Sequence, residues 1–149
     1  MASIELPRDF KEFLRLLNEN RVEYLLTGGY AVGYHGYPRA TGDMDIWVNP
    51  TRENAARIVR VLIAFGFSPD TVSAAPFMRP DQIVRMGVPP VRIELLTTLS
   101  GVDFQACYAR RVVDTVDEVE VQILSLNDLK VNKQAAGRPK DRGDLESLP

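Results

Sequence analysis

The chain has 149 residues, of which 45% are hydrophobic and 26% are charged. This length is enough for one ordinary soluble domain that buries roughly two-thirds of the surface of its unfolded chain. The formal net charge of −2 argues against a nucleic-acid binder that is basic all round, but it is compatible with a local basic patch. The single cysteine, Cys107, excludes an internal disulfide and has no cysteine partners for a zinc site.

Composition along the chain predicts one cytoplasmic domain. Residues 1–10 contain no apolar segment of signal-peptide length, and no stretch approaches the roughly 18 apolar residues of a membrane span. We therefore expect a cytoplasmic protein without a membrane partner. Because no linker, low-complexity stretch or repeat divides the chain, residues 1–149 are expected to form a single domain of α/β or α+β type.

The first predicted elements are a helix, a strand and a short helix. Apolar residues at helical spacing follow Pro7 and stop at residues 18–20, which predicts an amphipathic helix. The apolar run at 24–27 predicts a short buried strand. After two glycines, residues 30–35 fit a short helix that ends at Gly36.

A second strand is predicted at residues 43–48, followed by a longer helix. Asn49 can cap this helix with Pro50 at its first position, and Gly66 ends it. The patterns beyond it predict strands near 82–86 and at 91–96 with a turn at 87–90, a helix at 102–110 and a strand at 119–124.

The last third of the sequence carries a helix and a basic segment. Ser125 and Asp128 resemble a capping box at the start of a helix that runs through Ala136. Gly137 and Pro139 end that helix. Residues 130–142 hold five cations against one acid: Lys130, Lys133, Arg138, Lys140 and Arg142 against Asp141.

The Asp-x-Asp pair is the first candidate for chemistry. On a strand, the side chains of Asp43 and Asp45 leave the same face, while Met44 and Ile46 point into the core. Carboxylate oxygens are hard ligands that suit Mg2+. Trp47 lies on the same face of the strand as Asp43 and Asp45, where it either forms the floor of a site or completes the core.

Two glycines precede this pair at the end of the first strand. At Gly28 and Gly29, backbone N–H groups can approach a phosphate without obstruction by a Cβ atom, and the start of the following helix favours negative charge. A phosphate seat beside metal-binding carboxylates indicates nucleotide chemistry. Arg39 either grips a phosphate or is a solvated turn residue.

A third acid is predicted on the strand at 91–96. Glu94 alternates with Val91, Ile93 and Leu95, so it faces away from these core residues. If this strand pairs with 43–48, opposed side chains lie about 5 Å apart at Cβ, close enough for three carboxylates to hold Mg2+ or Mn2+. Glu94 could instead form only an ion pair, with Arg92 or with a neighbouring strand.

The combined pattern resembles a known superfamily. Thr27-Gly28-Gly29, thirteen residues, and then Asp43-Met44-Asp45-Ile46, with a later Ile93-Glu94-Leu95, is similar to the signature of DNA polymerase β-like nucleotidyltransferases. More narrowly, the run at 34–41 and the segment from Lys133 to Asp144 resemble the small bacterial branch related to AbiEii toxins.

This resemblance implies a fold, a reaction and roles for residues. The fold would be a mixed β-sheet flanked by helices, and the reaction would move an NMP from an NTP to an acceptor hydroxyl. Asp43 and Asp45 would bind Mg2+ or Mn2+, with Glu94 as the third acid. The resemblance assigns nucleotide binding to six residues: Gly28, Gly29, Arg39, Thr41, Lys133 and Asp141.

The resemblance also has departures. Tyr30 stands where relatives often have a small hydroxyl residue, and AbiEii-like toxins carry a further helical domain for a large substrate. The acceptor would be tRNA, a partner protein or a small molecule such as an aminoglycoside. For a large acceptor, a partner protein, as in a toxin–antitoxin system, is expected to supply that surface. The alternative is a non-catalytic antitoxin or regulatory module that keeps the same fold.

Overall fold

The structure, a computed structural model, describes residues 4–149 as six strands and six α-helices. The strands are β1 (Tyr24–Thr27), β2 (Asp43–Val48), β3 (Ile83–Val88), β4 (Val91–Leu96), β5 (Val112–Val116) and β6 (Val119–Ile123). The helices are α1 (Arg8–Glu19), α2 (Gly28–Tyr34), α3 (Arg52–Phe65), α4 (Phe104–Ala109), α5 (Leu126–Ala136) and α6 (Pro139–Ser147). Two short 3-10 turns, Pro69–Thr71 and Ala75–Met78, connect α3 to β3.

All six strands form one mixed sheet in the order β3-β4-β2-β1-β6-β5. The central strand β2 pairs antiparallel with β1 and parallel with β4, and β1 pairs parallel with β6. The edge strands β3 and β5 pair antiparallel with β4 and β6. The predicted mixed sheet flanked by helices is therefore confirmed.

The alternation along β2 and β4 separates a core face from a polar face. Met44 and Ile46 are fully buried and belong to one core with Phe13 of α1 and Ile58 of α3. Ile93 of β4 is buried in the same core. The acidic residues that alternate with these positions are left on the opposite face of the sheet.

Several predicted elements are confirmed at their bounds. β1, β2 and β4 coincide with the predicted strands. Ser125 caps α5, accepting a hydrogen bond at 3.2 Å from the backbone N–H of Asp128, and Gly137 ends that helix. Gly66 likewise ends α3.

The predicted cap of α3 is wrong. Thr51, rather than Asn49, caps the helix by accepting a hydrogen bond at 3.2 Å from the backbone N–H of Asn54. The Asn49 side chain instead donates to Glu23 Oε1 at 2.9 Å. The Asn49 side chain, which the local sequence predicts as the cap of α3, is therefore bound to Glu23 instead.

Three other elements differ from the prediction. α2 begins at Gly28 itself, so β1 passes into the helix without an intervening turn. β5 was not predicted, because its exposed edge residues show no clear apolar alternation. α6 was also missed: Pro139, interpreted as the stop of one helix, is the first residue of the next, and Asp141 accepts from the backbone N–H of Arg138 at 3.1 Å.

Within residues 4–149, no helix combines the length and the apolar character that crossing a membrane requires.

Candidate active site

The three predicted carboxylates lie on adjacent strands of the same sheet. Asp45 is in register with Glu94 across the parallel β2–β4 pair and with Thr27 across the antiparallel β1–β2 pair. Asp43 lies two residues before Asp45 and is in register with Arg92. Directly opposed residues point to the same face, so the pairing of β2 with β4 gathers Asp43, Asp45 and Glu94 on one side of the sheet.

These carboxylates line a cleft of about 560 Å³. Basic side chains outnumber acidic ones in its wall: Arg39, Arg85, Arg92, Lys133, Arg138 and Lys140 surround Asp43, Asp45 and Glu94. A second cleft of about 910 Å³ adjoins it and shares Gly29, Arg39 and Thr41 with it. The basic surplus in the smaller cleft favours an anionic ligand.

Gly28 and Gly29 stand where the backbone meets the floor of this cleft. Gly28 has a φ of +64°, and a Cβ atom on it would lie 2.9 Å from the Cβ of Asp45. A Cβ on Gly29 would lie 2.9 Å from Cβ and Oγ1 of Thr41. Both positions therefore exclude a side chain, and β1 and α2 can approach β2 closely.

Asp45 is an electrostatically unusual carboxylate. Burial, and then the negative charge of Glu94, raise the pKa of Asp45 to about 7. Its Oδ1 atom is buried without a hydrogen-bond partner among the described residues, and so is the Oγ1 atom of Thr27 beside it. A buried oxygen without a donor is costly, so the position favours a bound cation or a donor from a ligand.

Two arginines neutralise the other carboxylates. Arg92 donates to both oxygens of Asp43, from Nε at 2.9 Å and from Nη2 at 3.0 Å. The same guanidinium lies 3.3 Å from Glu94 Oε1, which also accepts from Nε of Arg85 at 3.1 Å. Charge is thus balanced at Asp43 and Glu94, whereas no arginine or lysine among residues 4–149 forms an ion pair with Asp45.

The donor set fits a hard divalent cation. Asp43, Asp45 and Glu94 supply only carboxylate oxygens, and the unpartnered Asp45 Oδ1 is free to coordinate. Within the described part of the chain, no three acidic, histidine or cysteine side chains already converge on one metal position. Cation binding would therefore require rotation of the carboxylates that the arginines now hold.

The late basic segment forms a buried ion-pair network behind the cleft. Lys133 Nζ lies 3.1 Å from Asp141 Oδ1 and 3.1 Å from Asp144 Oδ2. Arg39 donates to both oxygens of Asp144, at 2.8 and 2.9 Å, so the network links α5 and α6 to the loop before β2. Arg138 donates to Asp141 from its side chain, at 2.7 Å from Nε.

Four of the residues predicted to bind nucleotide lie in or next to this network. Lys133 borders the cleft but is nearly inaccessible to solvent, and Asp141 is fully buried. Arg39 lies in the wall of both clefts, and Thr41 donates from Oγ1 to the backbone oxygen of Asp43 at 3.1 Å. Gly29, Arg39 and Thr41 thus lie together, while Lys133 and Asp141 support the wall from behind.

The structure answers the alternative that the sequence left open for Trp47, and it shows the contacts of His35, the single histidine of the chain. Trp47 packs edge-on against Phe104 of α4, with ring centroids 5.0 Å apart, and is buried in the core. His35 Nε2 lies 2.7 Å from the backbone oxygen of Leu124, which makes the imidazole a tie between α2 and β6. Both side chains therefore have structural contacts.

Three exposed cations of the cleft have no role predicted from the sequence. Arg85, Arg138 and Lys140 line it beside the carboxylates. The alternation that places Glu94 on the polar face also places Arg92 there, and antiparallel pairing then brings Arg85 opposite Glu94. The position of Arg92 on the polar face follows from the sequence of β4 alone. The position of Arg85 opposite Glu94 depends on the register of β3 against β4.

Comparison with solved structures identifies a protein with the same fold. A crystal structure from Thermotoga maritima, described as a "putative nucleotidyltransferase", superposes with a TM-score of 0.65 over 93% of this chain and 89% of that chain. The two sequences are 17% identical. No family model and no curated protein matches the chain. The six-stranded sheet and its helices therefore have the fold of that protein.

Proposed function

We propose that the protein is a metal-dependent nucleotidyltransferase. One observation carries the proposal: Asp43, Asp45 and Glu94 stand side by side on paired strands, in a cleft whose wall contains Gly28, Gly29 and a surplus of basic side chains. The shared fold with the Thermotoga maritima protein supports the same class. The reaction is attack of an acceptor hydroxyl on the α-phosphorus of an NTP.

The three carboxylates have different roles in this proposed reaction. Asp43 and Asp45 would hold Mg2+ or Mn2+, which polarises the phosphate and stabilises its developing charge when bound. Glu94 accepts the proton of the acceptor hydroxyl as the new P–O bond forms. The bond between the α- and β-phosphates breaks, and pyrophosphate leaves with the electron pair.

The remaining cleft residues bind the donor. Gly28 and Gly29 leave room for the triphosphate, and Arg39 and Thr41 lie beside Gly29 to contact its oxygens. Lys133 and Asp141 act from behind, because their ion pair fixes the helices that carry the cleft wall. The basic side chains in the cleft wall complement the charge of the nucleotide.

The acceptor that we propose is tRNA or a partner protein, as in the AbiEii-like toxin branch. The basic wall of the cleft supports a polyanionic acceptor such as tRNA. If tRNA is the acceptor, its affinity should fall steeply as salt concentration rises.

Labelled transfer tests the proposal directly. The protein is incubated with Mg2+, each α-32P-labelled NTP and either total tRNA or cell lysate, and labelled products are resolved on gels. We expect label on an acceptor with wild type, none with Asp43→Ala, and normal labelling with Asp70→Asn, which changes an exposed carboxylate in the Pro69–Thr71 turn. An unlabelled acceptor pool, or equal labelling by Asp43→Ala, contradicts the enzymatic function.

A non-catalytic module is the second candidate, and the arginine pairing favours it. In this alternative, Arg92 and Arg85 hold Asp43 and Glu94 permanently as structural ion pairs. Calorimetry separates the two functions. Mg2+-dependent NTP binding without turnover in the presence of the partner protein would support the module, whereas turnover supports the enzyme.

A further inference from the structure

Two hydrogen bonds from Arg92 occupy the carboxylate oxygens of Asp43 that metal binding in the proposed function requires. Arg92 takes both carboxylate oxygens of Asp43, at 2.9 and 3.0 Å. A divalent cation that binds Asp43 needs at least one of the same oxygens. Arginine and cation therefore compete for one carboxylate.

The arginine is placed so that it can leave. About 31% of the Arg92 side chain is exposed, as is 56% of the Arg85 side chain, and both border the cleft. The structural pair Lys133–Asp141 is different, since only 4% of the lysine and none of the aspartate side chain is exposed. Arg92 can rotate into the cleft without leaving a buried charge of its own unpaired.

Its release would also create a phosphate-binding group. A guanidinium is always charged, and its planar N–H groups match the oxygens of a phosphate as well as those of a carboxylate. Once released from Asp43, Arg92 would still be on the cleft face of β4, where it is in register with Asp43. A bound NTP would offer its phosphate oxygens to this guanidinium.

We propose that Arg92 is a displaceable counter-ion: it holds Asp43 in the absence of the cation, competes with the cation, and after release binds the NTP. This inference rests on the proposed function, because it concerns the same cleft. Arg85 has a lesser share of this role, since it contacts only Glu94 among the three carboxylates, at 3.1 Å.

The proposal predicts opposite effects of one substitution. Arg92→Gln removes the competitor and its positive charge, so Mn2+ alone should bind about tenfold more tightly, the scale of one charge-assisted hydrogen bond. The same variant lacks the phosphate contact. A non-hydrolysable ATP analogue at saturating Mn2+ should therefore bind about tenfold more weakly. A merely structural arginine would not separate the two affinities in this way.

Electron paramagnetic resonance of free Mn2+ measures the first affinity, and calorimetry measures the second. The control is Arg57→Gln, which removes an arginine whose Nη1 donates to the backbone oxygen of Arg21 at 3.1 Å, and both affinities should remain those of wild type. Arg85→Gln should tighten Mn2+ binding by a smaller factor. This variant serves as the test if Arg92→Gln does not fold.

The outcomes distinguish this inference from the proposed function. If Arg92→Gln binds Mn2+ no more tightly than wild type does, Arg92 is not a displaceable counter-ion, while the nucleotidyltransferase proposal stands. If neither protein binds Mn2+, the metal site and the reaction both fail. Tighter Mn2+ binding combined with weaker binding of the ATP analogue supports the inference.

Discussion

Gly28 lies directly beneath the carboxylate of Asp45. A Cβ atom at residue 28 would be 2.9 Å from the Cβ of Asp45 and would overlap its Oδ2 atom. The backbone at Gly28 also has a φ of +64°, which L side chains rarely adopt. The glycine is therefore required for the position of the aspartate, in addition to any contact with a phosphate.

Gly28→Ala should displace Asp45 and lower both stability and activity. Overlap and backbone strain together should reduce the free energy of unfolding by about 2–4 kcal/mol, measured by urea denaturation. Under the proposed function, nucleotidyl transfer should fall by about 100-fold, because a misplaced catalytic group costs about this much. Gly143→Ala in α6 is the control, since its Cβ would meet no atom within 4 Å, and it should leave both quantities unchanged or slightly raise stability.

Asp45→Asn should change how the stability of the metal-free protein depends on pH. Burial, and then the negative charge of Glu94, raise the pKa of Asp45 to about 7, well above the usual value for an aspartic acid, so the fold favours the protonated acid. The resulting stabilisation is complete below about pH 4 and is lost as pH rises through 7. Wild type in EDTA should therefore lose on the order of 2–4 kcal/mol between pH 4 and pH 8 that the variant does not lose.

Urea unfolding across this pH range measures the difference. Asp70→Asn, at an exposed position, should follow wild type throughout. Parallel pH profiles of wild type and Asp45→Asn would show that folding does not raise the pKa of Asp45, contrary to the expectation.

Lys133→Met should destabilise the protein strongly. It leaves the buried carboxylates of Asp141 and Asp144 without the ammonium that lies 3.1 Å from each. Removal of one partner from a buried ion network costs about 3–5 kcal/mol in the free energy of unfolding. Arg142→Met removes an exposed cation from the same segment and should change stability by less than about 0.5 kcal/mol.

Acid unfolding provides a second measurement of this network. Although burial opposes it, hydrogen bonds from Arg138 and Lys133 lower the pKa of Asp141 to about 2. The stabilisation is therefore present above about pH 4 and is lost as pH falls toward 2. Asp141→Asn should flatten this part of the stability profile, and an unchanged profile would contradict the assignment.

Arg138→Gln should weaken binding of the NTP donor to the proposed site. More than half of the Arg138 side chain is exposed, and it borders the cleft while pairing with Asp141. Loss of one guanidinium near the phosphates should raise the Kd of an NTP about tenfold, measured by calorimetry with Mg2+. A rise in Kd no greater than that of Arg142→Met would show that Arg138 does not contact the nucleotide.

Local patterns in the sequence predict the strands that carry the carboxylates. Alternation in Asp43–Val48 and Val91–Leu96 is a local property of an extended chain, so it identified Met44 and Ile93 as core and Asp45 and Glu94 as polar-face residues. Caps and stops at Ser125, Gly66 and Gly137 are equally local. The gathering of three acids on one face was thus predictable once β2 and β4 were assumed to pair.

The partners of those residues, by contrast, depend on contacts between segments that are far apart in the chain. Arg92 meets Asp43 across 49 positions in the chain, and Arg39 meets Asp144 across 105. Likewise, Glu23 takes the Asn49 side chain, which leaves the helix cap to Thr51. Spacing within a strand or a helix turn sets which way a side chain faces, whereas the charge that neutralises it depends on how distant segments pack.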